Sequence, residues 1–213
     1  NIINKKTILK ACTTVQKASC KKAAQTEHKL AQGEEGDPCR DVDVSSDGTW
    51  MTPGHSSMIG LVTTVGCTTG KVLDVEVKSK SCKSCDYWSK QDKTSDAFRQ
   101  WELTHVCNVT HEGSSGSMEA EATKTIFERS VNDHKLRYTR FIGDGDTNTY
   151  KKVADAKVYG DAHPVEKIEC VGHVQKRMGT RLRNLKKSLK GQKLSNGKPI
   201  PGRGRLADKN IDL

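Results

Sequence analysis

Val42 and Val44 alternate with Asp41, Asp43 and Ser45, ahead of Asp47-Gly48-Thr49-Trp50. A period of two is that of a half-buried strand. Residues 58–65 are apolar and β-branched, Thr69-Gly70 makes a turn, and Val72 to Val77 alternates again. Three such runs with short connections predict an antiparallel meander. Tyr138 to Ile142 predicts a fourth strand, ended by Gly143-Asp144-Gly145-Asp146, and Val165 to Val171 a fifth.

Helical spacing appears three times. Residues 5 to about 32 predict a polar helix marked by Leu9, Val15 and Leu30 and broken by Gly33 to Pro38. Met118, Ala122, Ile126 and Phe127 form a stripe on a helix running to about Lys135, after a Gly113-Ser114-Ser115-Gly116-Ser117 loop suited to capping. Val174 to about Leu189 predicts a strongly basic helix with Val174, Met178, Leu182, Leu185 and Leu189 on one apolar face, followed by an exposed glycine- and lysine-rich tail. The order predicts an α/β protein, a mixed sheet flanked by helices, over residues 37–213, with a basic helical segment at 1–36.

Composition narrows the partner. The chain has 213 residues, 33% hydrophobic and 29% charged, so its core is modest. A net charge of +10 points to a polyanion, with nucleic acid ahead of an acidic membrane surface. No apolar run approaches the roughly 20 residues of a membrane span. The first residues carry no signal-peptide pattern and no initiator Met, so the chain reads as cut from a longer one.

Of eight cysteines, Cys12, Cys20, Cys39 and Cys67 are scattered. Cys82-x-x-Cys85 and His105-x-Cys107 instead lie between the third strand and the following helix, in an insertion at about residues 80–112. Four soft or borderline ligands suit a closed, tetrahedral structural Zn²⁺ and a reducing compartment. His111 is an alternative to His105, and ordinary buried cysteines are the competing reading. Cys170-x-x-His173 is half a metal site at most, and packing accounts for it equally well.

Two further constellations bear on chemistry. Asp47 and Asp144 each close a predicted strand; on neighbouring strands, two carboxylates would meet at one sheet edge and hold Mg²⁺ or Mn²⁺. Asp-Gly is also an ordinary turn dipeptide. Lys176, Arg177, Arg181, Arg183, Lys186 and Lys187 make the last helix either a solvated face or a phosphate-binding surface.

The phrases Ser46-Asp47-Gly48-Thr49-Trp50, Gly113 to Ala120, Phe141 to Asp146 and Glu169-Cys170-Val171-Gly172-His173-Val174-Gln175-Lys176-Arg177-Met178-Gly179 resemble the Mutator-like transposase domain, in that family's order, over roughly residues 35 to 213. The resemblance implies a ribonuclease H-like fold and an Asp, Asp, Glu triad acting with Mg²⁺ or Mn²⁺. Asp47 is then the first carboxylate and Asp144 the second, with Asp146 its rival. Cys170 and His173 occupy a family signature of unassigned role, and the Cys/His insert looks like the family's zinc-binding insertion. The implied activity is DNA cleavage and strand transfer in the nucleus, on transposon ends and target, with self-association. A catalytically inactive, zinc-containing DNA-binding remnant is the alternative, and a hydrolytic nuclease a third reading. The third carboxylate is expected on a helix past His173, where only Asp208 and Asp212 follow, so the site reads as incomplete and the core as truncated at its C-terminus. Glu119 is expected near a helix N-terminus, serving the helix dipole.

Overall fold

The computed structural model describes residues 5–33, 35–52, 57–143 and 147–200. Two compact units divide the chain at residue 168. In the first, β1 (Arg40–Trp50), β2 (Ile59–Gly66) and β3 (Val72–Ser79) form the expected antiparallel meander. β4 (Leu136–Gly143) then runs parallel to β1, and β5 (Glu166–Glu169) completes a sheet of order β3-β2-β1-β4-β5. A five-stranded mixed sheet in this order is ribonuclease H-like. Its logic is local: short turns permit antiparallel pairing, whereas the return from β3 to β4 passes through a long helix and so permits a parallel one.

That helix is α4 (Ser115–His134); before it the insertion folds as α2 (Lys83–Trp88) and α3 (Asp96–Thr104). Ser114 caps α4, its Oγ accepting the Ser117 N–H at 3.2 Å. The predicted stripe is the buried face: Met118 and Ala122 are 1% exposed, Ile126 and Phe127 not at all. Phe127 meets Tyr138 and Phe141 of β4 edge-on, with ring centroids 5.2 and 5.7 Å apart. α5 (Thr147–Asp155) packs beside α4 and adds Val153 to the same core.

α1 (Lys5–Leu30) packs against β3 and α4. The residues expected to mark its buried face do not do so: Leu9, Val15 and Leu30 are 69%, 69% and 58% exposed. Cys20, Ala23, Ala24 and Glu27 are buried instead. Small side chains let the helix approach closely, and the buried Glu27 is satisfied by the β2–β3 turn, where the N–H groups of Thr68 and Thr69 donate to its carboxylate at 3.0 and 3.1 Å. Arg129 of α4 spans Asp74 and Glu76 of β3 at 2.6–2.8 Å and also donates to the Val75 carbonyl, sealing part of this edge strand.

The second unit contains α6 (Val171–Ser188), which starts three residues before the sequence pattern suggests, because β5 stops at Glu169 and Cys170 takes the N-cap position. A Lys193–Pro199 bridge closes the turn that follows. The apolar face predicted for α6 is only partly sheltered: Val174, Met178 and Leu185 are 43%, 52% and 49% exposed, and Gly179 is the helix's buried residue.

Candidate functional site

Asp47 lies within β1, paired with Thr63 of β2, and the strand continues to Trp50 opposite Gly60. It therefore does not close the strand, and Asp47-Gly48 is not a turn. The pairing with β4 stops earlier, at Ser45 and Ile142. Asp47 thus stands just past the point where β1 loses one of its two neighbours. Asp144, two positions beyond Ile142, and Asp146 lie outside the described residues.

Strand alternation buries Val42, Val44 and Ser46 and sends Asp41, Asp43 and Asp47 to the opposite face. The first two acids are neutralised: Arg137 donates to Asp41 at 2.5 Å and to Asp37 at 2.7 Å, and Arg140 to both oxygens of Asp43 at 2.7 and 2.5 Å. Together with the Cys39 N–H, Arg137 also holds the Asp37 carboxyl below the usual carboxylate range. Asp47 has no cationic partner among the described residues. It is exposed, with one oxygen accepting the Gly48 N–H at 2.9 Å. Of the three acids on this face, Asp47 is the one whose charge the described protein does not neutralise, which fits a carboxylate that takes a divalent cation.

A residue not assigned to this place from sequence stands beside it. The Glu119 carboxylate lies over Gly48: a Cβ built there would be 2.8 Å from Oε2. Nor does Glu119 serve the helix end, since the first turn of α4 contains no acid.

The Cys/His cluster is more compact. The ligand atoms of Cys82, Cys85, His105 and Cys107 all lie within 4.8 Å of one another. Cys82 Sγ and Cys85 Sγ are 3.6 and 3.1 Å from His105 Nε2, and Cys85 Sγ is 3.6 Å from Cys107 Sγ. A tetrahedral zinc with ordinary bond lengths needs sulfur–sulfur and sulfur–nitrogen separations of about 3.8 and 3.6 Å. Three thiols and one imidazole at these distances fit Zn²⁺ and leave no further coordination position. Backbone N–H groups of Asn108 and Cys85 bring the Cys82 thiol down to about 6, while desolvation, then the adjoining thiols, push Cys85 up to about 12. A bound cation would favour the thiolate at every position.

The surroundings orient the ligands. Trp101 stacks on His105 at 4.6 Å and donates its indole N–H to Ser84 Oγ, inside the Cys-x-x-Cys knuckle, at 2.8 Å. Trp88 stacks on Trp101 at 5.5 Å. The Thr110 and His111 N–H groups donate to the Ser79 carbonyl at 2.8 and 3.1 Å, tying the end of the insertion to the end of β3. His111 stays out of the cluster; its Nε2 is 2.9 Å from Ser117 Oγ at the start of α4.

Cys170 precedes α6 and His173 lies in its first turn, joined by a backbone bond from the His173 N–H to the Cys170 carbonyl at 3.1 Å. No hydrogen bond joins their side chains among the described residues. Lys176, Arg177, Arg181, Arg183 and Lys187 are exposed on α6, and Lys186 is half-buried. Arg177 is paired with Glu169 at 2.5 Å.

The sheet order, the acidic strand at its centre and the Cys₃His cluster set into the β3–α4 connection define a ribonuclease H-like protein with a metal-binding insertion. A model of the Mutator-like transposase family matches residues 3–212, and the chain belongs to that family. Comparison with curated proteins and with solved structures finds no match.

Proposed function

We propose that this chain carries the metal-dependent core of a DNA transposase, acting in the nucleus on transposon ends and target DNA. The observation that carries the reading is Asp47: exposed, without a cationic partner among the described residues, and placed where β1 parts from β4, in a chain that belongs to a transposase family. Asp144, with Asp146 as its rival, follows β4 in the sequence and is the proposed second ligand. Divalent ions bound to these carboxylates would supply the Lewis acidity for phosphodiester cleavage and strand transfer. Asp47 would contribute hard oxygen ligands, and the basic side chains of α6 would hold the DNA backbone. The four-ligand cluster fits structural zinc, because all its positions are filled by protein.

The test is to incubate the full-length protein with Mn²⁺ and a DNA end from its own element. Strand-transfer products that disappear in Asp47→Asn, with DNA binding retained, are the expected result. Nicked DNA without strand transfer would make the protein a hydrolytic nuclease, and binding with neither product would make it a DNA-binding remnant.

A further inference from the structure

We propose that Glu119 is a further ligand of the divalent ion bound by Asp47, an inference that rests on the reading of Asp47 as a metal ligand. The starting point is the space at Gly48. A Cβ there would stand 2.8 Å from Glu119 Oε2, 3.1 Å from Cδ and 3.2 Å from Cγ. Only glycine admits the carboxylate this close to the strand, and Gly48 is the residue after Asp47.

Alternation explains how two acids reach one stretch of backbone. Asp47 leaves β1 on the face opposite Gly48, whereas Glu119 comes from α4 on the core face and occupies the room a side chain at Gly48 would fill. The two carboxylates therefore approach residues 47 and 48 from both faces, beyond the last β1–β4 pair. The sheet has lost a strand on that side, so the margin between the acids is open to an ion.

α4 holds Glu119 in register. Its neighbours Met118 and Ala120 are each 1% exposed, so the helix cannot turn without unpacking the core. Glu119 itself is half-buried, and the next acid on the helix, Glu121, is committed to an ion pair with Lys152. Mg²⁺ and Mn²⁺ prefer several oxygen ligands, and two aspartates leave much of the shell to water. A carboxylate fixed on a core helix adds a protein ligand with little conformational entropy left to lose.

The experiment titrates the zinc-loaded chain with Mn²⁺ and follows free Mn²⁺ by electron paramagnetic resonance. Glu119→Gln is expected to weaken Mn²⁺ binding by about tenfold or more, as Asp47→Asn does, with zinc content and melting temperature unchanged. Gly48→Ala, which keeps both acids but displaces the Glu119 carboxylate, is expected to weaken binding too. Should substitution disturb the fold, the ¹³C carboxylate resonance of Glu119 in the unsubstituted chain supplies the answer, since a ligand's resonance is lost at the first fraction of an equivalent of Mn²⁺. Parental affinity in Glu119→Gln alongside weakened affinity in Asp47→Asn, or a Glu119 resonance that persists through the titration, overturns the assignment of Glu119 alone. Unchanged binding in Asp47→Asn overturns the reading of Asp47 and this inference with it.

Discussion

The Glu27 carboxylate, fully buried on α1, accepts the backbone N–H of Thr68 at 3.0 Å across the β2–β3 turn. Its second oxygen accepts from Thr69, and Gly66 leaves the room: a Cβ there would lie 2.6 Å from the carboxyl carbon. Hydrogen bonds to a charged group contribute about 1.5–3 kcal/mol each, and the lone donors left by truncation are costly in a dry site. Glu27→Ala should therefore destabilise the chain by about 3–5 kcal/mol in urea unfolding, and Gly66→Ala should also destabilise it by displacing the same carboxylate. A change below about 1 kcal/mol for Glu27→Ala would show that α1 does not depend on this clamp.

Cys82→Ser should abolish the single zinc expected per chain. Structural zinc contributes folding free energy outright, about 10–16 kcal/mol of apparent binding in small zinc-dependent folds, and that contribution is confined to the segment holding its ligands. The fluorescence of Trp88 and Trp101, both packed around His105, should report disorder in residues 82–107, while the sheet keeps its amide protection. Cobalt titration gives the direct check: the parent should show the absorption bands of tetrahedral thiolate coordination and the variant should not. Full zinc retention by Cys82→Ser under chelator competition would contradict the assignment.

DNA binding through α6 should be mainly to phosphates. For duplex DNA, the slope of log affinity against log salt flattens by about 0.9 for every phosphate that a protein cation no longer neutralises. Replacing Arg177, Arg181, Lys186 and Lys187 with glutamine should weaken binding to unrelated sequences alike and flatten that slope by up to about three to four units. Arg177 should contribute least, because Glu169 already holds its guanidinium at 2.5 Å. An unchanged slope in the quadruple variant would place the DNA surface elsewhere.

Much of the architecture was legible along the chain. Alternation located β1, β2 and β3, and the stripe of Met118, Ala122, Ile126 and Phe127 identified the buried face of α4. These patterns are local: each element meets one core, so its own periodicity records which side faces inward. The cysteine and histidine spacing was legible for a related reason, since two short pairs flanking one insertion bring four ligands together without help from the rest of the sheet. The choice of His105 over His111 needed the path of the chain, because both stand close enough in sequence to serve, and stacking on Trp101 favours one while Ser117 engages the other.

By itself the sequence determined the order of elements, the antiparallel start of the sheet, the metal-binding quartet and the basic last helix, all of which follow from residues near one another in the chain. Tertiary structure decided the relations between distant segments. It buried Ala23, Ala24 and Glu27 of α1 rather than the larger Leu9 and Val15, because close approach and a clamped turn outweigh apolar size there. It carried β1 past Asp47 to Trp50, because β2 continues to pair with it after β4 has stopped. It also set Glu119 against Gly48, a contact between a helix and a strand 71 positions apart that no periodicity encodes, since it depends on how α4 lies across the sheet and on the one residue type that leaves room for it.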